Sequence, residues 1–415
     1  MAEQLTYYLE SNNLLSKTQH GFRKNLSTET ALLKVSDHIY DNIDKKKISL
    51  LILCDLSKAF DSVSHEILLR KCLDLAIDSY WFNDYLRERM QSVSIDNVVS
   101  DKLEIEYGVP QGSILGPIMF LIHINDLYKY INEGLLVQYA DNTQIVLSDS
   151  IENLDKLLQK AEYVLNKVKN YFFRNGLLIN TSKTQCIFIG SSQLLKRLPQ
   201  NISITCDNER IIPSNIVKNL GLHMDNTMSF NAHIEETCKK VTGILMFINR
   251  LKDYFDVDTR TKVVQSLALS KLYYCLTVWG NTHDTHLEKA QKIQNFAARI
   301  AMGGIGKFDH ISPTLRQLQW LKVKDKYMHD LSILVYKIIN NLVPGWLITL
   351  PTVGEIRTAR TRQQNNLFAD TARTDLGARS IKIRGPKNFN ALPIEIKRVE
   401  NFNCFRKKLK EHVMK

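Results

Sequence analysis

The chain has 415 residues, of which 44% are hydrophobic and 24% charged, the composition of an ordinary globular protein. This length exceeds the usual size of one hydrophobic core, so we expect two or more domains or subdomains. The formal net charge of +12 favours a polyanionic partner, such as nucleic acid or an anionic membrane surface, over an acidic small molecule.

Most of the net positive charge lies near the C-terminus, where residues 351–415 hold 15 Lys and Arg against 6 Asp and Glu. The seven cysteines are scattered, without the two-residue gap typical of zinc sites, so a reduced intracellular protein is expected. The apolar stretch at 113–124 is well short of the roughly 20 residues that a membrane span needs. The first residues lack the features of a secretion signal, so we expect the protein in the nucleus, the cytoplasm or both.

The first half of the chain alternates helical and strand patterns. Helices are recognised by apolar residues at helical spacing, and strands by short apolar or alternating runs between turn residues. These patterns predict helices at 27–44, from 65 to about Ala76, at 80–89, at 118–127 and at 151–171. They predict strands at 48–54, 93–99, 103–107, 135–137, 145–147, 185–189, 202–206 and 210–212, the last two joined by a turn at Asp207 and Asn208. This alternation indicates an α+β sheet domain up to about Met224.

The second half of the chain changes character beyond His233. Few strand signals remain, and the apolar period becomes helical throughout. The predicted helices cover residues 234–251, 257–276, 286–302 and 324–341. The chain is therefore expected to switch from a sheet domain to a mostly α-helical region, without a Pro- or Ser-rich linker at the boundary.

Two aspartates lie where predicted strands end. Asp55 directly follows the strand at 48–54, and Asp141 lies at the tip of a strand, turn and strand. Two-metal phosphoryl transfer needs carboxylates from separate strands, which hold two divalent ions about 3.5–4 Å apart. Either acid alone is more often a solvated strand end, so the neighbouring motifs decide the interpretation.

Several motifs around these acids, taken jointly and in this order, resemble the palm of a reverse transcriptase. The acids and their neighbours stand as Asp55 with Phe60 five residues later, then Pro110-Gln111-Gly112, then Tyr139-Ala140-Asp141. The further matches are a fingers-like motif in Gln19-His20-Gly21-Phe22-Arg23 and residues 27–32, and later palm motifs at residues 180–184 and 219–222. Such a joint set is far more specific than any member of it.

The chain most resembles non-LTR retrotransposon enzymes of the jockey and CR1 kind, whose tails carry a segment similar to residues 385–393, with Trp in place of Phe389. The resemblance implies a right-hand polymerase with partial fingers and a palm built on an antiparallel sheet. Residues 1–230 would form fingers and palm. Residues 231–303 would form a helical, thumb-like region, and residues 304–415 a basic C-terminal region.

The resemblance also implies the metal ligands and catalytic groups. Asp55 and Asp141 would hold Mg²⁺, or Mn²⁺ as the alternative, with help from the backbone carbonyl of Leu56; magnesium prefers such oxygen ligands. Lys183 would protonate the departing pyrophosphate, a role in which proximity matters more than the resting pKa. Asn142 occupies the position next to the catalytic acid.

Substrate contacts are implied in the same way. Phe60 would lie beneath the incoming sugar and exclude a 2′-hydroxyl, and Arg23 would reach the triphosphate with its planar guanidinium. Gln111 and Gly112, in a loop that permits close backbone approach, would touch the nucleotide or the template base, and Tyr139 would complete this substrate site. The turn at Leu220 and Gly221 would grip the primer. Each of these residues, read alone, is as readily a core, turn or surface residue.

The chain departs from the family pattern in two places. Relatives have a second acid where this chain has Asn142, so one negative charge is missing from a site that would hold two dications. The chain also begins inside the fingers, where such proteins normally carry further fingers sequence and an endonuclease domain. Both features predict a strongly impaired polymerase.

The predicted function is RNA-directed DNA polymerisation, in which an RNA template, a DNA primer and deoxynucleoside triphosphates are the partners. One alternative is a catalytically inactive nucleic-acid-binding remnant. A polymerase of the group II intron type is a less favoured alternative, because the helical second half and the tail differ. A zinc site at His223, His233 and Cys238 is rejected, because the spacing fits no ligand pattern and the helical context favours scattered surface positions.

The basic run Arg406-Lys407-Lys408-Leu409-Lys410 lies near the C-terminus. It fits a nucleic-acid contact, a nuclear localisation signal or a solvated helix face. We favour a solvated face that binds RNA weakly.

Overall fold

The computed structural model describes residues 1–206, 209–306, 308–357 and 364–414, and these group into two units. The N-terminal unit comprises Met1–Ala31, Lys47–Phe188 and Gln193–Ser214. The C-terminal unit comprises Leu32–Lys46, Ile189–Ser192 and Asn215–Lys415. The three-part division expected from the sequence, at residues 230 and 303, stays a prediction.

The first 214 residues contain most of the strands. Their helices are α1 (Ala2–Ser11), α2 (Thr28–Asp44), α3 (His65–Asp74), α4 (Tyr80–Leu86), α5 (Gly116–His123), α6 (Leu154–Arg174) and α7 (Ser192–Leu195). Their strands are β1 (Ile48–Cys54), β2 (Leu56–Ser57), β3 (Met90–Gln91), β4 (Ser94–Ile95), β5 (Val98–Val99), β6 (Leu103–Glu104), β7 (Leu135–Tyr139), β8 (Asn142–Asp149), β9 (Leu178–Ile179), β10 (Gln185–Ile189), β11 (Ile204–Cys206) and β12 (Glu209–Ile211). Only the first turn of α2 belongs to the N-terminal unit.

A four-stranded sheet in the order β10-β1-β8-β7 forms the centre of the N-terminal unit. Strand β1 pairs antiparallel with β8 in a register that runs from Ile48 opposite Asp149 to Cys54 opposite Thr143. Almost every side chain of β1 is buried, as expected of a central strand whose sequence is an unbroken apolar run. Helix α6 contacts β8 and buries one apolar stripe, so the core lies between helix and sheet.

Two short hairpins and a helix differ from the predictions for residues 80–107. The predicted strand at 93–99 is wrong, because Asp96 and Asn97 both have positive φ (47° and 69°) and turn the chain back between β4 and β5. Asn and Asp adopt such angles more readily than other non-Gly residues. The strand predicted at 103–107 is limited to β6, and the helix predicted at 80–89 ends at Leu86.

Other boundaries shift by a few residues. Helix α3 begins after Ser64, whose hydroxyl accepts from the Ile67 N–H, and ends at Asp74, so Ala76 is exposed rather than inward. The helices predicted at 118–127 and 151–171 are α5 and α6 with adjoining 3₁₀ turns. The strands predicted at 202–206 and 210–212 are β11 and β12, and the predicted turn at Asp207 and Asn208 lies outside the described residues.

The C-terminal unit is mostly helical. Its strands are β13 (Ile216–Asn219) and β14 (Leu222–Asp225), which form an antiparallel hairpin. Its helices are α8 (Asn231–Arg250), α9 (Val257–Val264), α10 (Ser270–Leu272), α11 (Leu276–Trp279), α12 (Asp284–Met302), α13 (Ser312–Gln317), α14 (Val323–Ile339), α15 (Val353–Ile356), α16 (Ile381–Asn390), α17 (Ile394–Lys397) and α18 (Phe402–Val413). The predicted α+β class with a helical second half is confirmed.

One long helix of the prediction is interrupted. The helix expected at 257–276 ends at Leu272, after a π-helical turn at Gln265–Leu269, and a new helix starts beyond Cys275, whose φ is 52°. The periodic pattern continues through the break because apolar residues on both sides are buried. Among the described residues, no helix combines the length and apolar character that a membrane span requires.

Three aspartates on the part of α2 within the C-terminal unit hold residues 373–382. Asp37 accepts from the Ser380 hydroxyl and the Ile381 N–H, at 2.5 and 2.7 Å. Burial raises the pKa of Asp37 above its ordinary range, and these donors oppose that effect. Asp41 pairs with Lys382 at 2.9 Å.

Asp44 makes the third of these attachments. Its Oδ1 accepts from the Arg373 N–H and from the N–H and hydroxyl of Thr374, at 2.8–3.0 Å. Since the three aspartates stand about one helical turn apart, they present a row of acceptors along one face. The segment at 373–382 is therefore attached to α2 by hydrogen bonds that neither segment's local pattern indicates.

The Asp44→Ala substitution is expected to loosen residues 373 and 374, because three donors lose one acceptor. The expected loss is about 1–3 kcal/mol of stability in the C-terminal unit. Asp41→Ala removes only a partly exposed ion pair and should lose about 0–1 kcal/mol. Urea denaturation and amide hydrogen exchange at Arg373 and Thr374 measure both effects. Unchanged exchange in the Asp44→Ala protein would contradict the proposed attachment.

Candidate active site

The register of the central sheet brings the two predicted acids together. Cys54 and Thr143 form the last pair of the β1–β8 ladder, so Asp55 and Asn142 occupy the next positions on neighbouring strands. Asp141 adjoins them in the two-residue turn between β7 and β8. The structure thus places Asp55, Asp141 and Asn142 at one end of the sheet.

The two carboxylates interact electrostatically. The pKa of Asp141 is raised above its ordinary value, first by burial and also by the negative charge of Asp55. The Asn142 amide donates to Asp141 Oδ1 at 3.3 Å, which partly opposes the rise. A partly buried carboxylate beside a second negative charge favours the approach of a cation.

Lys183 supplies part of that positive charge. Its Nζ lies 3.8 Å from Asp55 Oδ2, and its side chain is 70% exposed. The turn that carries it is attached to the site, since the Asn180 N–H donates to the Asp55 carbonyl at 2.8 Å. The predicted neighbourhood of Lys183 and Asp55 is therefore present, with the ammonium group still free to meet solvent or a ligand.

The donor set at this end of the sheet fits a divalent ion. It consists of carboxylate and amide oxygens, the ligands that hard cations such as magnesium prefer. Leu56, whose carbonyl was predicted to assist, is buried in strand β2 opposite Ile179. Among the described residues, no cluster of three or more His, Cys, Asp or Glu side chains is arranged to hold a metal, and the third polar side chain at this end of the sheet is the amide of Asn142.

The Gln19 side chain clamps the backbone of the Asp141 turn. Its Oε1 accepts from the N–H groups of Ala140 and Gly21, at 2.9 and 2.8 Å. Its Nε2 donates to the Ala140 carbonyl at 3.3 Å. Ala140 has a φ of 53°, an uncommon angle for a residue with a Cβ, so the clamp stabilises a strained turn.

Gly21 lies directly against this turn. A Cβ at Gly21 would lie 2.3 Å from the Ala140 nitrogen, closer than any atom can approach without displacing the backbone. The same segment pairs with β7, since the His20 N–H donates to the Gln138 carbonyl at 2.8 Å. The Gln-His-Gly motif therefore supports the turn that carries Asp141.

Phe60 belongs to an aromatic cluster beside the site. Its ring stacks on Phe120 with centroids 4.4 Å apart, and Phe22 meets its edge at 6.2 Å. Phe60 is half-buried, while Phe22 is 50% exposed with a φ of 54°. Packing on Phe120 gives Phe60 a fixed orientation, which a residue that selects the sugar requires.

The loop with Gln111 is held against the segment after Phe60. Gln111 Nε2 donates to Asp61 Oδ1 at 2.8 Å, and the Val109 N–H donates to the Phe60 carbonyl at 2.9 Å. Gly112 has a φ of 83°, which suits glycine, and no atom of the protein would lie within 4 Å of a Cβ at this position. An open cavity of about 620 Å³ beside this loop is lined by residues that include Lys58, Asp61, Arg89 and Gln111.

Arg23 has a different place from the one predicted. Its guanidinium forms a bidentate pair with Glu10, at 2.8 and 2.6 Å, and donates to the Ser16 carbonyl at 2.7 Å. Only 5% of the Arg23 side chain is exposed. The prediction that Arg23 reaches a triphosphate is not supported, because this guanidinium already joins α1 to the chain that follows it.

Three predicted residues remain, and they lie at two turns. Tyr139 is half-buried at the end of β7, opposite Asn142. Leu220 and Gly221, in the C-terminal unit, form the turn of the β13–β14 hairpin with φ values of 45° and 86°. The Tyr274 hydroxyl donates to the Leu220 carbonyl at 2.7 Å, which fixes this turn.

The rejected zinc residues have other partners. His223 pairs with Glu236 at 2.8 Å. His233 is buried, which corrects the expectation of scattered surface positions, and its burial lowers its pKa to about 4. The basic run of the C-terminus lies on α18, where Arg406, Lys407 and Lys408 are exposed while Phe405 and Leu409 are buried. The predicted solvated face is thus confirmed, whereas RNA binding stays a prediction.

Residues 1–224 match the family model of "Reverse transcriptase (RNA-dependent DNA polymerase)". The chain belongs to the reverse transcriptase family. Its predicted palm motifs all lie within the matched residues, and the right-hand polymerase fold follows from this membership. The sheet end with Asp55 and Asp141 is accordingly the candidate active site of a reverse transcriptase.

The relatives are polymerases of mobile elements. The chain is 25% identical over 320 residues to the probable RNA-directed DNA polymerase from transposon X-element of Drosophila melanogaster, covering 73% of this chain and 34% of the relative. It is 26% identical over 304 residues to the RNA-directed DNA polymerase from mobile element jockey of Drosophila funebris, covering 69% and 32%. The predicted jockey-like, non-LTR kind is confirmed, and the chain spans about a third of the length of these relatives.

Among solved structures, apo telomerase from Candida tropicalis aligns with 82% of this reverse transcriptase and 58% of the telomerase chain. The identity is 12% and the TM-score 0.38, a likeness too weak to bear on the assignment.

Sequence reasoning named the Gln-His-Gly motif but missed the role of Gln19. The residue is polar and 3% exposed, and its partner Ala140 lies 121 positions along the chain. Only the resemblance of this motif to the family indicates that Gln19 is important, because no local sequence pattern indicates its contact with Ala140. Glu10, the partner of Arg23, was missed for the same reason.

Replacing Gln19 with Leu should destabilise the turn that carries Asp141. Two buried N–H groups would lose their acceptor, at about 1–3 kcal/mol each. Thr18→Val is the matched control, since it removes a side-chain hydrogen bond to Gln138 and leaves the turn backbone untouched. Amide exchange at Ala140 measures the effect. Equal protection of Ala140 in both variants would contradict the clamp.

Arg23→Lys is expected to lower stability without changing nucleotide affinity. The lysine cannot form the bidentate pair with Glu10, and we expect a loss of about 1–3 kcal/mol, because Glu10 stays partly solvated. Thermal unfolding and fluorescence titration with a deoxynucleoside triphosphate measure the two quantities. A tenfold loss of nucleotide affinity with unchanged unfolding would restore the predicted substrate role.

Proposed function

We propose that this chain is the polymerase part of a mobile-element reverse transcriptase, which extends a DNA primer along an RNA template. The observation that carries the proposal is the placement of Asp55 and Asp141 at one end of the central sheet, within the residues that match the family. The proposed partners are an RNA template, a DNA primer and deoxynucleoside triphosphates. The net charge of +12 suits polyanionic partners.

The proposed metal ligands are the two carboxylates and the Leu56 carbonyl, with Mg²⁺ as the proposed ion. Divalent ions, when bound, polarise the reacting phosphate and bring the primer hydroxyl towards its anionic form. The negative charges of Asp55 and Asp141 repel one another in the protein alone, which favours a cation between them.

The other residues are proposed to bind and orient the substrates. Phe60, fixed by Phe120, would block space needed by a 2′-hydroxyl, and Gln111 would contact the nucleotide from its loop. Tyr139 and Gly112 complete this substrate group. Lys183, close to Asp55 and mostly exposed, would donate a proton to the leaving pyrophosphate.

The Leu220–Gly221 turn would hold the primer backbone. We retain the proposed division into fingers and palm at 1–230, a thumb-like region at 231–303 and a basic region at 304–415. The fixed conformation of this turn, held by Tyr274, supports a binding role.

Asn142 favours the second candidate, a nucleic-acid-binding remnant without activity. Its amide replaces a carboxylate and donates a hydrogen bond to Asp141 Oδ1, so one charge and one lone pair are unavailable to an ion. Fewer charged ligands weaken the affinity for divalent ions and the stabilisation of the transition state. The polymerase activity of this chain is therefore proposed to be strongly impaired.

Primer extension on an RNA template decides between the two candidates. We expect weak extension by the natural chain, none by Asp55→Ala, and at least tenfold faster extension by Asn142→Asp, because a third carboxylate restores ion binding. Asp101→Ala, an exposed aspartate of the same unit, is the matched control and should match the natural chain.

Each outcome of this experiment is decisive. Extension by Asp55→Ala at the natural rate would contradict the proposed active site. Absence of extension by every protein, including Asn142→Asp, together with retained RNA binding, would establish the remnant instead.

A further inference from the structure

A second cavity, in the C-terminal unit, combines cationic and aromatic side chains. It measures about 360 Å³, within the range of pockets that hold small ligands. We call it the basic pocket. Its charged and aromatic lining consists of Tyr273, Trp320, Lys326, His329, Arg406 and Lys410.

Four elements distant in sequence build this pocket. The π-helical turn at Gln265–Leu269 and the residue after α10 supply one side, and the segment before α14 supplies Trp320. Helix α14 contributes Lys326 and His329, and the contacting helix α18 contributes Arg406 and Lys410. A pocket assembled from such separate elements is defined by the tertiary fold of the unit.

The pocket carries an excess of positive charge. Lys326 and His329 both contact Asp330, whose carboxylate balances the charge of Lys326. Within the described part of the chain, Arg406 and Lys410 have no carboxylate at ion-pair distance. These two cations on α18 thus remain available to an anionic ligand.

The aromatic lining is fixed by its neighbours. The Tyr273 hydroxyl accepts from Gln294 at 2.6 Å, and Lys326 Nζ lies 5.6 Å from the centre of the Tyr273 ring. Trp320 is 8% exposed. Aromatic rings beside cations are the usual elements of sites for single-stranded nucleic acids, where bases stack and phosphates are neutralised.

The remaining lining adds neutral polar groups. Gln265, Ser270 and Gln319 are exposed and offer amide and hydroxyl groups at the rim. Such groups can bond to a ribose or a base edge, which a site for phosphate alone would not need. The size and the mixed lining therefore suit a nucleotide unit of a strand better than a free phosphate ion.

We propose that the basic pocket binds one nucleotide unit of single-stranded RNA, whose phosphate is held by Arg406 and Lys410. This deepens the proposed function, on which it rests for the choice of RNA as partner. The pocket would give the C-terminal region a defined contact with the RNA, in place of a diffuse attraction to the basic run of α18.

Helix α18 offers a matched control for this proposal. Lys407 and Lys408 are exposed on the same helix but do not line the pocket. Reversing either pair of charges changes the net charge of the chain equally. Only a defined site makes the two double variants differ.

RNA binding is measured by fluorescence anisotropy with a labelled single-stranded oligonucleotide and the full chain, at several salt concentrations. We expect Arg406→Glu with Lys410→Glu to weaken affinity about tenfold and to reduce the salt dependence by about 0.7 for each lost phosphate contact. The control pair, Lys407→Glu with Lys408→Glu, should weaken affinity less than threefold. Circular dichroism melting checks that both proteins remain folded.

Other probes test the identity of the ligand. Inorganic phosphate at millimolar concentration should not displace the oligonucleotide, and DNA of the same sequence should bind more weakly to the natural chain. An equal loss of RNA affinity in the two double variants would overturn the proposal. So would an unchanged RNA affinity of the pocket variant, or displacement of the oligonucleotide by inorganic phosphate.

Failure of the pocket can be distinguished from failure of the proposed function. Asp101→Ala should bind the oligonucleotide like the natural chain, because this exposed residue belongs neither to the pocket nor to the candidate active site. If the pocket variant binds normally while primer extension occurs, the pocket proposal alone is wrong. If pocket-dependent binding occurs without extension by any variant, the polymerase proposal is wrong and the pocket proposal stands.

Discussion

The register between β1 and β8 is the constraint on which the candidate active site depends. A shift of one residue would move each side chain of a strand to the opposite face. Strand β1 is buried along nearly its whole length and is flanked by the charged residues Lys47 and Asp55, so a shift would draw one of these charges into the buried ladder at a large penalty. The pairing of β1 with β8 therefore places Asp55 beside Asp141, although the two negative charges repel each other.

The two neighbouring carboxylates repel each other, and the surrounding hydrogen bonds and close packing hold them in place despite this repulsion. Burial and the charge of Asp55 both raise the pKa of Asp141, so the turn would relax if its backbone were free. The Gln19 clamp and the close contact of Gly21 prevent such relaxation. A site that must accept cations without reorganising benefits from rigid support of this kind, since preorganised groups lose little free energy on binding.

Local sequence patterns predicted the central elements well. Strands β1 and β10 have the predicted bounds, because an apolar run bounded by charged or turn residues has few other solutions. The failures involve contacts over long sequence distances or competing local turns. Asp96 and Asn97 form a turn in the middle of a segment that otherwise resembles one strand. β propensity alone does not indicate that both residues adopt positive φ angles.

The sequence predicted the two acids of the site but not the residues that hold the surrounding segments in place. Asp55 and Asp141 follow strand patterns and carry family motifs. Each support also has a distant partner, 13 to 330 positions away: Glu10 for Arg23, Ala140 for Gln19 and Thr374 for Asp44. No local spacing encodes such pairs. Arg23 illustrates the consequence, because a motif arginine can serve the fold as readily as a phosphate.

Asn142 links stability and function at the sheet end. An acid at this position would add a third negative charge beside two carboxylates that already repel each other, which disfavours the folded protein in the absence of ions. The amide removes that repulsion and donates a hydrogen bond to Asp141 instead. The substitution therefore favours the ion-free fold by the same interaction that weakens ion binding.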